Sequence, residues 1–479
     1  MAKKVIVWFR NDLRLHDNEA LRDAMDVGDE IVPVFIFDER TFLGKTSFGF
    51  QKTGKYRAKF VIEAVQDLKH RLQALGSDLY VRVGKPEEEL FELANSLKSS
   101  WIFCNRERTQ EEVAVQDALE HNLWTIGQEM RYSRGKMLYY TSDLPFPVTH
   151  TPDVFTHFRK EVERIVPVRE PLAAPAESLP PLTSAIDWGH VPTMEELGHE
   201  DFSSNDKGGV LWQGGETAAL KELHYYLWET DLIKDYKETR NGLLGRDFSS
   251  KFSPWLSQGC LSPKMVYQEV KRYETERVKN KSTYWLVFEL LWRDYFRLIG
   301  KKYGNDIFKV RGTKGSDLPA TGVDMDKFNR WATGTTGMPF IDANMKELNQ
   351  TGFMSNRGRQ NVASYLVKDL KLDWRLGAEY FESLLLDYDP CSNYGNWNYV
   401  AGVGSDPREN RYFNIVSQAK RYDAEGTFVK YWLPELANVP AESVHTVDRL
   451  PKAELDKHGI VNADTYLDAL LPSSHWTSR

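Results

Sequence analysis

Short runs of Val, Ile, Phe and Trp alternate with amphipathic stretches along the first third of the chain. "KKVIVWF", "EIVPVFIFD", "LYVRV", "WIFC" and "WTIGQEM" have strand character, and "NEALRDAM", "YRAKFVIEAVQDLKHRLQALG", "PEEELFELANSLK" and "TQEEVAVQDALEHN" have helical spacing. Strand and helix in strict alternation predict a doubly wound parallel sheet over residues 1–135, an α/β domain. From about Ile165 to Gly215 the pattern gives way to "VPVREPLAAPAESLPPLTSAIDWGHVP" and "SSNDKGG", where clustered prolines forbid a regular ladder. Residues 136–215 therefore read as an interdomain connector. Beyond it, "ETAALKELHYYLWETD", "STYWLVFELLWRDYFRLIG", "FIDANMKELNQTG" and "NVASYLVKDL" predict an all-helical domain over 216–440, followed by a short C-terminal extension, 441–479.

A length of 479 residues supports two or three domains and leaves room to bury a large cofactor. Aromatic residues make up 13% of the chain with 14 Trp, so rings are the compositional feature that needs a purpose. The net charge of −7 does not favour nucleic acid, but a local Arg/Lys patch dominates within one Debye length, about 8–10 Å, and the total decides nothing about DNA. No run is long enough for a secretory signal or a membrane span, which predicts a cytoplasmic protein. Cys104, Cys260 and Cys391 are far apart with no CxxC or His spacing, as expected of buried free thiols, and no metal site is expected.

The first strand is followed by "RNDLRLHDN" and not by G-x-G-x-x-G, which excludes the usual dinucleotide fingerprint there and leaves a polar loop that caps the next helix at Asn18 or has another task. Ser249, Ser250, Lys251 and Ser253 precede Pro254, a setting that suits a diphosphate at a helix start or an ordinary Ser N-cap. Taken alone, Glu289 is a helix carboxylate paired with Arg293 four residues on; Asp387 and Asp389 are loop carboxylates, and Trp397 and Tyr399 are anchoring rings.

Together, "VIVWFRNDLRLHDN", "FELLWRDYFR", "FMSNRGRQNVASYL" and "DYDPCSNYGNW" resemble the photolyase/cryptochrome family over nearly the whole chain. "KTGKYRAKF" and "ETDLIKDYKETRNGLLG" bring it nearest to the cryptochrome DASH branch. The resemblance implies FAD in the helical domain, held by Tyr236, Ser249, Ser250, Lys251, Phe252, Ser253, Asn356, Arg359, Asp387, Asp389 and Asn393. Arg359 is expected to pair with Asp387, since a buried guanidinium is tolerated only when well paired, and Asn393 to face flavin N5. Glu289, Trp292, Asn356 and Tyr399 are implied as the catalytic pocket for an extruded pyrimidine dimer. Tyr399 stands where other photolyases carry a second tryptophan, which points to single-stranded lesions. Arg240, Arg293 and Arg357 head the candidate phosphate contacts, with Arg297, Arg408 and Arg411 behind them.

The same resemblance implies a 5,10-methenyltetrahydrofolate antenna near Glu112, although a first-turn carboxylate also simply offsets the helix dipole. It implies electron transfer through Trp397 and Trp374, but Thr321 occupies the third tryptophan's place, and Trp331 is the candidate substitute or an apolar anchor. The implied activity is blue-light-driven, FAD-dependent splitting of cyclobutane pyrimidine dimers, chiefly in single-stranded DNA, by a monomer. The rival reading is a cryptochrome-type photoreceptor; only about 40 ordinary residues follow "WLPEL", where signalling cryptochromes commonly carry long extensions.

Overall fold

A computed structural model describes residues 2–203, 208–315, 322–408, 411–460 and 463–476. Five strands form one parallel sheet: β1 (Lys4–Phe9), β2 (Glu30–Asp38), β3 (Tyr80–Gly84), β4 (Trp101–Asn105) and β5 (Glu129–Ser133), in the order β3-β2-β1-β4-β5. Register runs Val5↔Ile31 and Val7↔Pro33 on one side of β1, and Val5↔Trp101 and Val7↔Phe103 on the other. Both faces are buried along β1, β2 and β4, as the interior of a parallel sheet requires, while edge strand β5 is half-exposed. Val5, Val7 and Phe9 point into one core; Ile6 and Trp8 point into the other.

The loop after β1 does both tasks open to it. Asn18 caps helix Glu19–Val27 by accepting from the Leu21 amide at 3.0 Å. The loop also docks on the helical half: Arg14, 1% exposed, donates to the carbonyls of Gly259 (2.8 Å), Asp17 and Gly135 (both 3.0 Å), and Lys264 pairs with Asp17 at 2.8 Å. Gly259 sits at φ +69° with the main chain of Asn11 and Asp12 so close that a Cβ would meet Asn11 O at 2.1 Å. Any side chain there would push the two halves apart.

Within 136–215 one α-helix, Phe155–Ile165, and a short 3₁₀ turn, Val148–His150, are the regular elements among the described residues. From Glu216 onward all the elements described are helical. The helix expected over "ETAALKELHYYLWETD" is α-helical at Glu216–His224 and continues as a π-turn, Tyr225–Glu229; a second π-turn, Tyr365–Asp369, extends helix Asn356–Ser364. Residues 441–479, expected to be an extension, belong to the helical core as far as they are described. Val444, Val447, Leu455, Tyr466 and Trp476 are at most 2% exposed, and Trp476 stacks near Tyr365 at 5.9 Å. The signal was thin because this stretch buries isolated side chains from short turns, with no helical stripe. All three cysteines are buried and free.

Candidate functional site

Helix Lys281–Tyr303 supplies one wall of a cavity of about 580 Å³. Its start is fixed by a capping box: Asn280 accepts from the Ser282 and Thr283 amides, and Thr283 accepts back from the Asn280 amide. The spacing of Trp285, Glu289, Trp292, Arg293 and Phe296 then puts all five on the cavity face. Trp292 lies flat on Phe155, 3.7 Å between centroids and 10° between planes, and meets Tyr399 edge-on at 6.1 Å and 89°. The two rings make an apolar corner, with Glu289 and Asn356 also lining the cavity.

Glu289 pairs with Arg240 at 2.9 Å, not with Arg293. Arg293 is turned to main-chain carbonyls, donating to Lys136 O at 2.8 Å and Leu256 O at 2.9 Å, while its neighbour Asp294 accepts from the Leu138 and Tyr139 amides. Burial lowers Arg293 to about 10 and lifts Asp294 to about 6. Arg293 thus staples the connector to the cavity wall, a role that competes with reaching an external phosphate. Burial, opposed by Arg240, raises the Glu289 carboxyl above its ordinary range.

The facing wall comes from helices Asn356–Ser364 and Pro390–Ala401. Arg359 pairs with Asp387 at 2.8 Å, as expected, and its Nε donates to Met354 O. Asp389 is the N-cap of the second helix, accepting from Ser392 N at 2.8 Å, and binds Arg297 at 2.6 Å. Burial alone would raise Asp389, but Arg297 and Arg293 hold it at about 2. Arg297, considered for the DNA rim, is an interior group 4% exposed, whose other end meets Glu107 at 3.3 Å; no nucleic acid can reach it. Asn393 donates one amide N–H to Ala378 O at 3.0 Å, which leaves its oxygen and its second N–H for a ligand.

Tyr236 and Ser249, Ser250, Lys251, Phe252 and Ser253 line the cavity's end. Helix Ser253–Ser257 has Phe252 at its N-cap and no side-chain cap, so the ordinary Ser N-cap reading does not hold and the hydroxyls remain for other partners. Lys251 adopts φ +55° and is 4% exposed; its ammonium lies 3.5 Å from the Phe248 ring centre and 4.7 Å from that of Phe353. Burial drags it down to about 7 against the opposing charge of Glu347, and burial likewise lifts Glu347 to about 8. A buried cation of this kind gains from an incoming anion. Asp387 Oδ1, Arg240 Nε and Arg357 Nε are buried cavity-side atoms without a protein partner. A diphosphate-linked ligand with a polar ring edge fits this set of donors and acceptors.

The other arginines separate by role. Arg357 is held by Gln360 and Asn241, both at 2.8 Å, over the Tyr422 ring. Arg411 donates to the Tyr399 hydroxyl at 2.8 Å and is anchored by Asp406, so it braces the apolar corner. Arg408 is exposed.

Trp397 lines the cavity and packs over Gly377, where a Cβ would meet its ring at 2.2 Å. Gly377 lies one turn beyond Trp374 on helix Trp374–Leu384. Trp331 is 0% exposed and sits beside Trp397 itself, at 6.5 Å, with its indole N–H donated to Val362 O. It therefore cannot replace a surface tryptophan beyond Trp374: it is a buried neighbour of the first ring. Thr321 lies outside the described residues.

Glu112 accepts from Asn11 at 3.1 Å and Thr109 at 2.5 Å at the start of helix Gln110–Trp124. Burial, then the adjacent Glu107, raises its carboxyl; Lys136 pairs with Glu107, and Arg10 completes the cluster. It belongs to a charged cluster that reaches Arg297 of the helical half through Glu107, more than a dipole-offsetting carboxylate.

Sequence reasoning missed Trp285 and Gln360 as cavity residues and Phe155 as a brace, and it offered Arg411 as a phosphate contact where the structure pairs it with Tyr399 and Asp406. Trp285 was detectable, four residues before Glu289 on the same face. So was Gln360, one turn past Asn356 on the same helix, whereas the contacts of Phe155 and Arg411 were not, because those residues arrive from other segments.

Residues 5–178 match the family described as DNA photolyase, and residues 285–477 the FAD binding domain of DNA photolyase. Cryptochrome DASH of Gloeobacter violaceus is 49% identical over 96% of this chain and 91% of its own length. That of Xenopus laevis is 46% identical over 99% and 91%. The crystal structure of a Synechocystis cryptochrome superposes with TM-score 0.93 at 47% identity, covering 96% of this chain and 95% of that one. A class III photolyase from Agrobacterium tumefaciens gives 0.86 at 28% identity, covering 100% and 96%. With both domain descriptions matched and nearly half the residues shared along almost its full length, the chain belongs to the photolyase/cryptochrome family, in the cryptochrome DASH branch of flavoproteins.

Proposed function

We propose that the protein is a blue-light-driven lyase that splits cyclobutane pyrimidine dimers, chiefly in single-stranded DNA, using FAD in the cavity described above. The observation that carries this reading is the right-angled corner of Trp292 and Tyr399, with Glu289 and Asn356 lining the same cavity as Asp387 and Asn393. When bound and reduced, FAD supplies a light-excited electron. Arg359 and Asp387 would hold the polar edge of its ring, and Asn393 would offer the ring its amide side chain as donor or acceptor. Lys251 and the adjoining hydroxyls meet the diphosphate. Trp292 and Tyr399 pack the apolar face of an extruded dimer, and Glu289, with its raised carboxyl, hydrogen-bonds a thymine edge and holds or returns a proton. Tyr399 offers less stacking area than an indole, and extrusion from a duplex costs a few kcal/mol, so lesions already unpaired are favoured.

The reading extends to Arg240 and Arg357 as phosphate contacts, to methenyltetrahydrofolate against Glu112, and to a cytoplasmic monomer. No helix among the described residues is long and apolar enough to cross a membrane; the Arabidopsis thaliana relative is named chloroplastic/mitochondrial. A photoreceptor role is the second reading, supported by the relatives' cryptochrome names. The test is titration of oligothymidine with and without one dimer. The dimer strand should bind more tightly, and Trp292→Ala should erase about 1–3 kcal/mol of that preference. Equal binding of both strands by the native protein would remove the lesion pocket.

A further inference from the structure

Each indole around Trp397 donates its N–H to a neutral carbonyl: Trp374 to Val310 O and Trp331 to Val362 O, both at 3.0 Å. Neither carbonyl can take a proton, so an indole that loses an electron there keeps its positive charge and invites the electron back. Two tyrosines adjoin these rings. Tyr380 lies 5.9 Å from Trp331, but its hydroxyl donates to Asn349 Oδ1 at 2.7 Å and Ala332 O at 3.2 Å, again neutral groups. Tyr394 lies 6.1 Å from Trp374, edge-on at 80°, and its hydroxyl donates to the carboxylate of Glu382 at 3.2 Å, within reach for proton transfer. Among these rings Tyr394 alone couples ring contact to a base.

We infer that Tyr394 is a redox-active tyrosine, the trap for the oxidising equivalent left behind when light reduces oxidised flavin, with Glu382 as its proton acceptor. The inference rests on the flavin reading above for its oxidant, photoexcited oxidised flavin acting through Trp397 and Trp374. The electron moves from the Tyr394 phenol to the Trp374 radical cation while the phenolic proton moves to Glu382 Oε2. Neutral Trp374, a neutral tyrosyl radical and a carboxylic acid result; charge is conserved, and the electron first taken from Trp374 stays on the flavin.

The surroundings suit that step. Tyr394 is 6% exposed and Glu382 9% exposed, so water does not compete for the proton. Arg57, donating to the Glu382 carbonyl at 2.5 Å, keeps positive charge near the carboxylate, and burial increases the carboxyl's hold on a proton once received. Tyr394 and Trp397 share helix Pro390–Ala401, so the trap is built on the element that lines the cavity. Such a trap compensates for Thr321, which cannot be oxidised, in the position of the expected third tryptophan.

Flash photolysis and electron paramagnetic resonance of the flavin-loaded protein test this. Wild type, Tyr380→Phe and Trp331→Phe should each show a neutral tyrosyl radical after a blue flash, and Tyr394→Phe, which keeps the ring, should show persistent tryptophan radicals only. Glu382→Gln, which still accepts a hydrogen bond but not the proton, should slow tyrosyl formation about 10²-fold and abolish its solvent deuterium isotope effect. In a second arm the flavin-free full chain is oxidised with azide radicals, and tryptophan-to-tyrosine transfer is compared between wild type and Tyr394→Phe. An undiminished tyrosyl signal in Tyr394→Phe, in either arm, overturns the inference, as does a wild type that forms tryptophan radicals and no tyrosyl. If flavin is not reduced by light in any variant, the flavin reading falls, and the azide arm still decides Tyr394.

Discussion

Glu289 and Arg240, both lining the cavity, form an ion pair at 2.9 Å that joins helix Lys281–Tyr303 to the end of the short helix Tyr236–Thr239. The carboxylate is thereby aimed into the cavity and kept from Arg293, its neighbour one turn on. A group so placed can exchange a hydrogen bond with substrate while Arg240 balances its charge.

Glu289→Gln should retain flavin and lower repair per absorbed photon several-fold, because an amide cannot supply the same proton or charge. The quantum yield of the purified variant measures this, and an unchanged yield takes Glu289 out of the mechanism.

Repair of a dimer in an intact duplex should be poorer than in a single strand by about 10–100-fold, and a bubble around the lesion should restore it. Comparing initial rates on the three substrates under one lamp is sufficient. Equal rates would mean that the Trp292–Tyr399 corner does not limit extrusion.

Lys251 sits near 7 in the ligand-free protein because burial disfavours its charge. A diphosphate must raise that value, so binding is fully supported below pH 7 and weakens as pH rises through the value reached in the complex. Loss of the Glu347 proton near 8 adds repulsion in the same direction. FAD affinity measured by fluorescence should fall between pH 7 and 9, by at most about tenfold per unit for one proton, and Lys251→Met should flatten the slope. A wild-type affinity independent of pH would contradict this.

Much of the architecture was legible from the chain. Four strands of the sheet announce themselves as Val/Ile/Phe-rich runs such as Ile31–Phe37, because their side chains are largely buried; edge strand β5, expected over "WTIGQEM", lies later, at Glu129–Ser133, because it is half-exposed and carries no such run. The cavity face of helix Lys281–Tyr303 follows from spacing alone. What spacing cannot show is competition between partners: Glu289 could reach Arg293 by helical geometry, yet two main-chain carbonyls, Lys136 of the connector and Leu256 of the helical half, take Arg293, and a distant arginine takes Glu289. Arg297 and Trp331 were misjudged for the same reason, since exposure depends on which segments fold over a residue. The Arg359–Asp387 pair was foreseeable because a buried carboxylate needs a paired cation, although it is Asp387 that is buried and Arg359 only partly so.

Arg297 bridges Asp389 and Glu107, and its loss strands buried carboxylates. Arg297→Met should cost about 3–5 kcal/mol of stability by denaturant titration. Asp389 at about 2 lies below its ordinary value, so in wild type its contribution is present above about pH 4 and lost as pH falls towards 2. The variant should lose stability at higher pH than wild type. A variant as stable as wild type would show the bridge to be dispensable.

The most direct test of the repair reading is to illuminate the reduced, flavin-loaded protein with blue light in the presence of dimer-containing single-stranded oligothymidine and follow thymine absorbance in the ultraviolet. Absorbance should rise in the light, stop in the dark and be absent when the flavin is oxidised. No recovery with reduced flavin, under light that bleaches neither protein nor cofactor, would contradict a lyase and leave the photoreceptor reading in its place.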